Sequence, residues 1–230
     1  MDSGELKRIV GREVVDRLVR DGMRLGLGSG TTAIEAVKRL GEIRNTQRIV
    51  AVATSYETQL ECYRQGITVV SLSDPRLDGQ LDLAIDGADE VDPQWDLIKG
   101  RWGAMLIEKV VAHAARRFAV IVDSSKLVNR LGQKNPVPVE VIPESLRPVT
   151  RALESLGGSV GLRMAKMKGG PVVSEHGNLI LDVNFEVSAP AKLEREIKMI
   201  PGVVENGIFS DTASDLLVVH EEGRVECSNR

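Results

Sequence analysis

The chain has 230 residues, 42% of them hydrophobic and 27% charged, with a formal net charge of −3, values ordinary for a soluble globular protein able to bury one large core or two small ones. Scattered Lys and Arg in a slightly acidic chain leave no electrostatic footprint for nucleic acid, and 3% aromatics leave little to stack on bases. Cys62 and Cys227 have neither CxxC nor zinc spacing and read as free thiols, the opening MDSGELKRIV has no apolar signal core, and no apolar run approaches the ~20 residues of a membrane span, so the expected setting is cytoplasmic, with no membrane partner.

Asp2 and Glu5 form a capping pair for a first helix, whose buried face is Leu6, Val10, Val14 and Leu18. Lys7 falls in its first turn, where the macrodipole does not favour a cation; it reads as a surface lysine or as one that reaches an anion. A strand over 23–27 then runs into GLGSGTT, followed by a helix with Ala33, Ile34, Val37 and Leu40 inward. Gly26, Gly28 and Gly30 let backbone amides turn toward a ligand, Ser29, Thr31 and Thr32 add hydroxyl donors, and the helix start adds partial positive charge. This is a phosphate cradle or else a tight strand-to-helix turn. It is not the dinucleotide fingerprint, which wants its third glycine at 31, and no GK[ST] follows to make a P-loop.

A strand over 49–53, a helix capped by Thr54 and Glu57 that ends at Gly66, a strand over 67–72 and a strand over 81–85 continue the alternation. The pattern predicts an α/β fold with a mostly parallel sheet, helices on both faces and ligands at the carboxyl ends of the strands. The densest chemistry is LDLAIDGADEVDPQWDLIKGRWGAMLIEKVV, residues 81–111. Asp86, Asp89 and Glu90 crowd a strand end, Lys99 follows the apolar pair Leu97-Ile98, residues 100–103 form a loop, and Glu108 lies in a helix over 104–116. A further strand over 118–122 ends in Asp123-Ser124-Ser125-Lys126, a second cation at a strand end. Such a set suits proton transfer. A proton beside a carbonyl is usefully abstracted only where a cation or donor meets the enolate charge, and a partly buried glutamate works as a base near neutral pH. His113, His176 and His220 are dispersed, without metal-ligand spacing, and read as structural or surface groups.

From about residue 133 the texture changes. Strands over 137–142 and 159–164, a helix over 145–156, a hairpin around 175–178 that takes in 172–174, a strand over 179–183, a helix over 191–199 and a strand over 203–209 give a β-α-β-β-α-β order, ferredoxin-like. The expected domains are therefore 1–132 with 206–230, catalytic, and 133–205, a lid or oligomer contact.

The order and spacing of GLGSGTT, IDGADEVD, IKG with GAMLIEKVV, VIVDSSKLV and PVPVEVIP, with GNLILDV and IPGVVENGIF farther on, resemble the A-type ribose-5-phosphate isomerases along nearly the whole chain. The resemblance implies a Rossmann-like domain beside the ferredoxin-like one, a homodimer or homotetramer, and interconversion of D-ribose 5-phosphate and D-ribulose 5-phosphate through a cis-enediolate, in the non-oxidative pentose phosphate branch, with no metal or other cofactor. Carried over residue by residue, it makes Glu108 the base, Lys99 the oxyanion stabiliser, and Asp86 and Asp89 the groups that assist ring opening and bind sugar hydroxyls. Ser29, Gly30, Thr31 and Thr32, with Lys7 and Lys126, would hold the phosphate, and Gly100 joins the substrate-binding set. One departure is Arg101-Trp102, where the family has mostly small residues: Trp102 either turns its ring away from the substrate or narrows the site. A non-catalytic sugar-phosphate sensor, an amino-sugar-phosphate deaminase and a CoA transferase on a similar scaffold fit DGADE with Lys99 and Glu108 less well.

Overall fold

A computed structural model describes residues 1–44, 48–167 and 169–230. The helices are α1 (Ser3–Leu18), α2 (Thr31–Ile43), α3 (Tyr56–Arg64), α4 (Met105–Ala114), α5 (Leu146–Ser155) and α6 (Pro190–Lys198). The strands are β1 (Arg24–Leu27), β2 (Val50–Ala53), β3 (Leu83–Asp86), β4 (Glu90–Val91), β5 (Leu97–Ile98), β6 (Phe118–Asp123), β7 (Val137–Val141), β8 (Ser159–Leu162), β9 (Leu179–Asn184), β10 (Val203–Asn206), β11 (Ile208–Phe209), β12 (Asp215–Val219) and β13 (Val225–Asn229). Contacts divide the chain into two compact units, residues 1–88, 107–126 and 212–230, and residues 89–106 and 127–211. Among the described residues no helix is long and apolar enough to cross a membrane.

The first unit holds a six-stranded sheet in the order β13-β12-β6-β3-β1-β2. Every neighbouring pair is parallel except β12–β13. Its inner strands are continuous apolar runs because both faces are covered. Leu25, Leu27, Leu83 and Ile85 face a core built with Val10 and Val14 of α1, Ala36, Val37 and Leu40 of α2 and Cys62 of α3. On the other face a side chain at Gly26 would run into Val111 of α4 and Ala84. The expected cap of α1 is present, with the Asp2 carboxylate accepting the Glu5 N–H at 2.8 Å.

Two local expectations in this unit are corrected. The cap of α3 is Ser55, whose Oγ accepts the Thr58 N–H at 3.3 Å. Thr54 is buried and turns its hydroxyl to Ser29 instead. The run 67–72 forms no strand: Val69 makes a single parallel bridge to Ala51. The chain then turns, the Asp74 N–H donating to the Ser71 carbonyl at 2.9 Å, before a second rung can form.

The second unit contains a four-stranded antiparallel sheet in the order β10-β7-β9-β8, the ferredoxin-like arrangement expected of this region. Val137, Val139 and Val141 pack with Val149 and Leu153 of α5 and Ile197 of α6. The expected strand over 203–209 is two strands in two sheets. Glycine at 207 lets the chain pass against the Lys99 carbonyl and Pro138, where a side chain would collide, and β11 pairs with β5, not with β7. Residues 172–174 contribute one bridge, Val173 to Leu179, and no strand. The compact unit is also larger than the expected 133–205, because the three-stranded sheet β11-β5-β4 ties residues 89–98 to 208–209.

Candidate active site

In the first unit the in-register parallel strands bring three sequence-predicted segments to one edge of the sheet. β1 pairs with β3, and β3 with β6, so the loop after Leu27, Asp86 at the end of β3, and the turn after Asp123 all lie at carboxyl ends. Asp86 is 3% exposed. Its Oδ1 accepts the Gly87 N–H at 2.7 Å and the Ser29 N–H at 3.2 Å. Gly28 makes this approach possible, since a Cβ there would fall on the Asp86 carboxylate. Thr32 comes next to Gly87, its Cβ 3.9 Å from where a Gly87 Cβ would stand.

α2 begins here. Its N-cap is Gly30, at φ 88°, with no side chain bonded to the cap position. The first amides of a helix have no carbonyl one turn back, so this start presents donors and partial positive charge to an anion. Thr31 is exposed and Thr32 half-buried beside it.

Ser29 plays a different part from the one expected. Its N–H goes to Asp86, and its hydroxyl belongs to a chain of four. Thr58 Oγ1 donates to the Gly28 carbonyl at 2.7 Å, which commits its only proton. Ser55 Oγ must then donate to Thr58 (3.1 Å), Ser29 donates to Ser55 (2.8 Å), and Thr54 donates to Ser29 (2.7 Å). In this arrangement Ser29 has no hydroxyl proton left for a ligand, its hydroxyl being spent on Ser55. Sequence reasoning missed Thr54, Ser55 and Thr58 as partners of this loop. The signal was three hydroxyl residues within five positions at the end of the next parallel strand.

Glu108 lies in the first turn of α4 and is 4% exposed. Lys126 closes a 3₁₀ turn over Ser124–Lys126, with the Ser125 N–H bonded to Asp123 at 3.0 Å, and is half-buried. Lys7 is the fifth residue of α1 and half-buried, one turn before Gly11, where a Cβ would strike the backbone of Glu35 and Ala36 in α2.

In the second unit Lys99 is 3% exposed, with Nζ 5.5 Å from the centroid of the buried Phe209 ring, a cation–π contact. Its N–H donates to the Gly207 carbonyl at 2.9 Å. Gly100 has φ 100°, and a Cβ there would press on Met105 at 2.9 Å, so glycine is required on both counts. Asp89 donates its N–H to the Ile98 carbonyl at 2.8 Å, and its Oδ2 accepts the Arg101 N–H at 3.1 Å. Asp89 also lines a cavity of about 550 Å³ with Arg101, Trp102 and Arg163. Trp102 is 64% exposed.

The third carboxylate of the DGADE turn is taken up by backbone groups of the second unit. Glu90 is fully buried and accepts the N–H groups of Gly132, Lys134 and Asn135 at 2.7, 2.6 and 2.5 Å. It organises the loop ahead of β7. Among the described residues no three His, Cys, Asp or Glu side chains come together in a way that would hold a metal ion.

A model of the family described as ribose 5-phosphate isomerase A (phosphoriboisomerase A) matches residues 50–223. The chain is 43% identical to the ribose-5-phosphate isomerase A of Treponema denticola, over 98% of this chain and 99% of that one. The solved structure of ribose 5-phosphate isomerase A from Methanocaldococcus jannaschii covers 100% of both chains with a TM-score of 0.93 at 41% identity. A structure of D-ribose-5-phosphate isomerase in complex with phospho-erythronic acid does so with a TM-score of 0.95, also at 41% identity.

Proposed function

The chain belongs to the ribose 5-phosphate isomerase A family, and from that premise we propose that it interconverts D-ribose 5-phosphate and D-ribulose 5-phosphate. The observation that carries the reading in this chain is the buried Asp86 carboxylate, bonded to the Ser29 N–H directly beside the uncapped start of α2. On this reading a sugar-hydroxyl acceptor and an anion cradle share one strand edge, as a phosphorylated sugar requires.

In the proposed mechanism Asp86 and Asp89 accept sugar hydroxyls and assist ring opening to the aldehyde. Glu108 takes the proton from C2, and the electrons of that bond form the enediolate, whose charge settles on O1. Lys99 meets that charge with a buried ammonium, where exclusion of water strengthens the attraction. Glu108 then delivers its proton to C1 while the O2 proton is transferred toward O1, leaving a carbonyl at C2. Oxidation at C2 balances reduction at C1, and the carboxylate is regenerated. Gly30, Thr31 and Thr32 with Lys7 and Lys126 hold the phosphate, Gly100 contributes on the sugar side, and Ser29 fixes the loop. Phosphate held away from the reacting carbons supplies binding energy that orients them.

The phospho-erythronic acid bound by the solved relative is a four-carbon acid phosphate, one carbon shorter than this substrate. The expected homodimer or homotetramer and the cytoplasmic setting belong to the same proposal, and sedimentation reads the first directly. The enzymatic test uses purified protein in the presence of a chelator, with ribose 5-phosphate and with unphosphorylated ribose. Ribulose 5-phosphate forms from the first, and kcat/KM for ribose is lower by at least about 100-fold. No turnover of ribose 5-phosphate would overturn the proposal.

A further inference from the structure

The loop that follows Lys99 is held by a side chain that lies 64 positions beyond that lysine and in no recognisable motif. Arg163 lies just past β8, and its side chain is 15% exposed. Its guanidinium grips Asp182 of β9 in a two-pronged ion pair, Nε to Oδ2 at 2.9 Å and Nη2 to Oδ1 at 2.5 Å. The remaining nitrogen, Nη1, donates to the carbonyls of Gly100 at 2.9 Å and Arg101 at 3.0 Å.

The peptide between Gly100 and Arg101 is therefore fixed from both sides. Its carbonyl accepts from Arg163, and its N–H donates to Asp89 Oδ2 at 3.1 Å. The Gly100 carbonyl also accepts the Gly103 N–H at 3.0 Å, closing the turn. Glycine at φ 100° has unusual freedom, and two oppositely placed charges remove it here. On its other flank Lys99 is fixed by the Gly207 carbonyl and by the pairing of β5 with β11. Without Arg163 that flank stays anchored, while the loop side keeps only the bonds to Asp89 and Gly103.

We propose that Arg163, anchored by Asp182, is a positioning residue for the isomerisation: it holds the Gly100–Arg101 peptide in the orientation that presents Lys99 and Gly100. The kinetic part of this inference rests on the isomerase reading; the placement of the loop does not. Lysine cannot replace it, because one ammonium does not span a carboxylate and two carbonyls in a fixed plane.

Two readouts on Arg163→Ala test the proposal. The first is steady-state kinetics well below the melting temperature. The expected result is a 10- to 100-fold fall in kcat with KM changed less than about threefold, partial recovery on adding guanidinium chloride at a few millimolar, and no recovery in Arg163→Lys. The second is limited trypsin digestion, since Arg101 is exposed and its peptide bond to Trp102 lies in the loop. The unmutated protein is expected to resist cleavage there and Arg163→Ala to be cut at that bond. Should Arg163→Ala fold poorly, Asp182→Asn leaves the guanidinium in place, weakens its anchor, and is read by the same two assays with a smaller effect in the same direction. An unmutated protein without isomerase activity removes the reaction but leaves the trypsin result to decide the loop's anchor. Unchanged kcat and unchanged trypsin resistance in a folded variant would overturn the proposal, as would a loss expressed wholly in KM.

Discussion

At Gly28 the backbone passes so close to Asp86 that a single methyl group has no place to go. The residue is not there for an unusual φ; it is there for clearance. Gly28→Ala is expected to push the Asp86 carboxylate off the Ser29 N–H and to lower kcat/KM by about 100-fold or more, as a misplacement of order 1 Å does in a preorganised site. Activity within twofold of the unmutated protein would contradict the assignment of Asp86. Glu90 makes the opposite case, a carboxylate from the same turn that serves the fold. Glu90→Ala leaves three backbone N–H groups without their acceptor and is expected to cost at least about 3 kcal/mol in urea unfolding. Residue by residue, the sequence told which side chains crowd the strand end but not which of them do what. Asp86 and Glu90 are four positions apart and chemically near-identical; their roles part only because one meets residue 29 and the other residues 132–135.

Element by element, the alternation of apolar strand and amphipathic helix was legible wherever the period ran long enough, as in α1 with Leu6, Val10 and Val14 inward. It failed over 67–72, where an apolar run is cut by turn-forming Ser71 and Asp74 after one bridge. The cap of α3 also went astray by one position, because Thr54 is drawn off to Ser29 across the sheet, a contact the local pattern does not carry. β1 and β3 are joined at their starts by a charge pair with a measurable signature. Arg24 bonds the Asp82 carboxylate through Nη2 at 3.0 Å and through its backbone N–H at 2.8 Å. The guanidinium holds the Asp82 carboxyl below its ordinary 3.8, the backbone bond adding to it against the opposing effect of burial. A carboxyl held low in the folded chain contributes stability above its unfolded value, and that contribution is lost as the pH falls below 3.8 through the folded value. Asp82→Asn should therefore destabilise the protein at about pH 7, and the gap from the unmutated chain should close toward about pH 2. A gap in urea midpoint that stays constant over that range would rule the pair out as the cause.

At the scale of the whole molecule, two architectures were legible, a parallel α/β sheet and a ferredoxin-like sheet, since each is written in the order of its elements. The division between them was less so. It depends on two-residue strands such as β4 and β11, too short to leave a period in the sequence. Burial on this scale also sorts the two thiols. Cys62 lies in the core of the first unit, where burial above all pushes its thiol up to about 12, while Cys227 is exposed on β13. A thiol reagent at about pH 8 should titrate one cysteine in the native protein and two in denaturant; two fast thiols in the native state would contradict the packing of α3. The central claim, that a buried glutamate moves the proton, is tested most directly by Glu108→Gln, an exchange that keeps the shape and removes the base. With ribose 5-phosphate as substrate its kcat should fall by about 100- to 10,000-fold, while calorimetry shows phospho-erythronic acid still binding. Ribulose 5-phosphate formed by the variant at the unmutated rate would contradict the account.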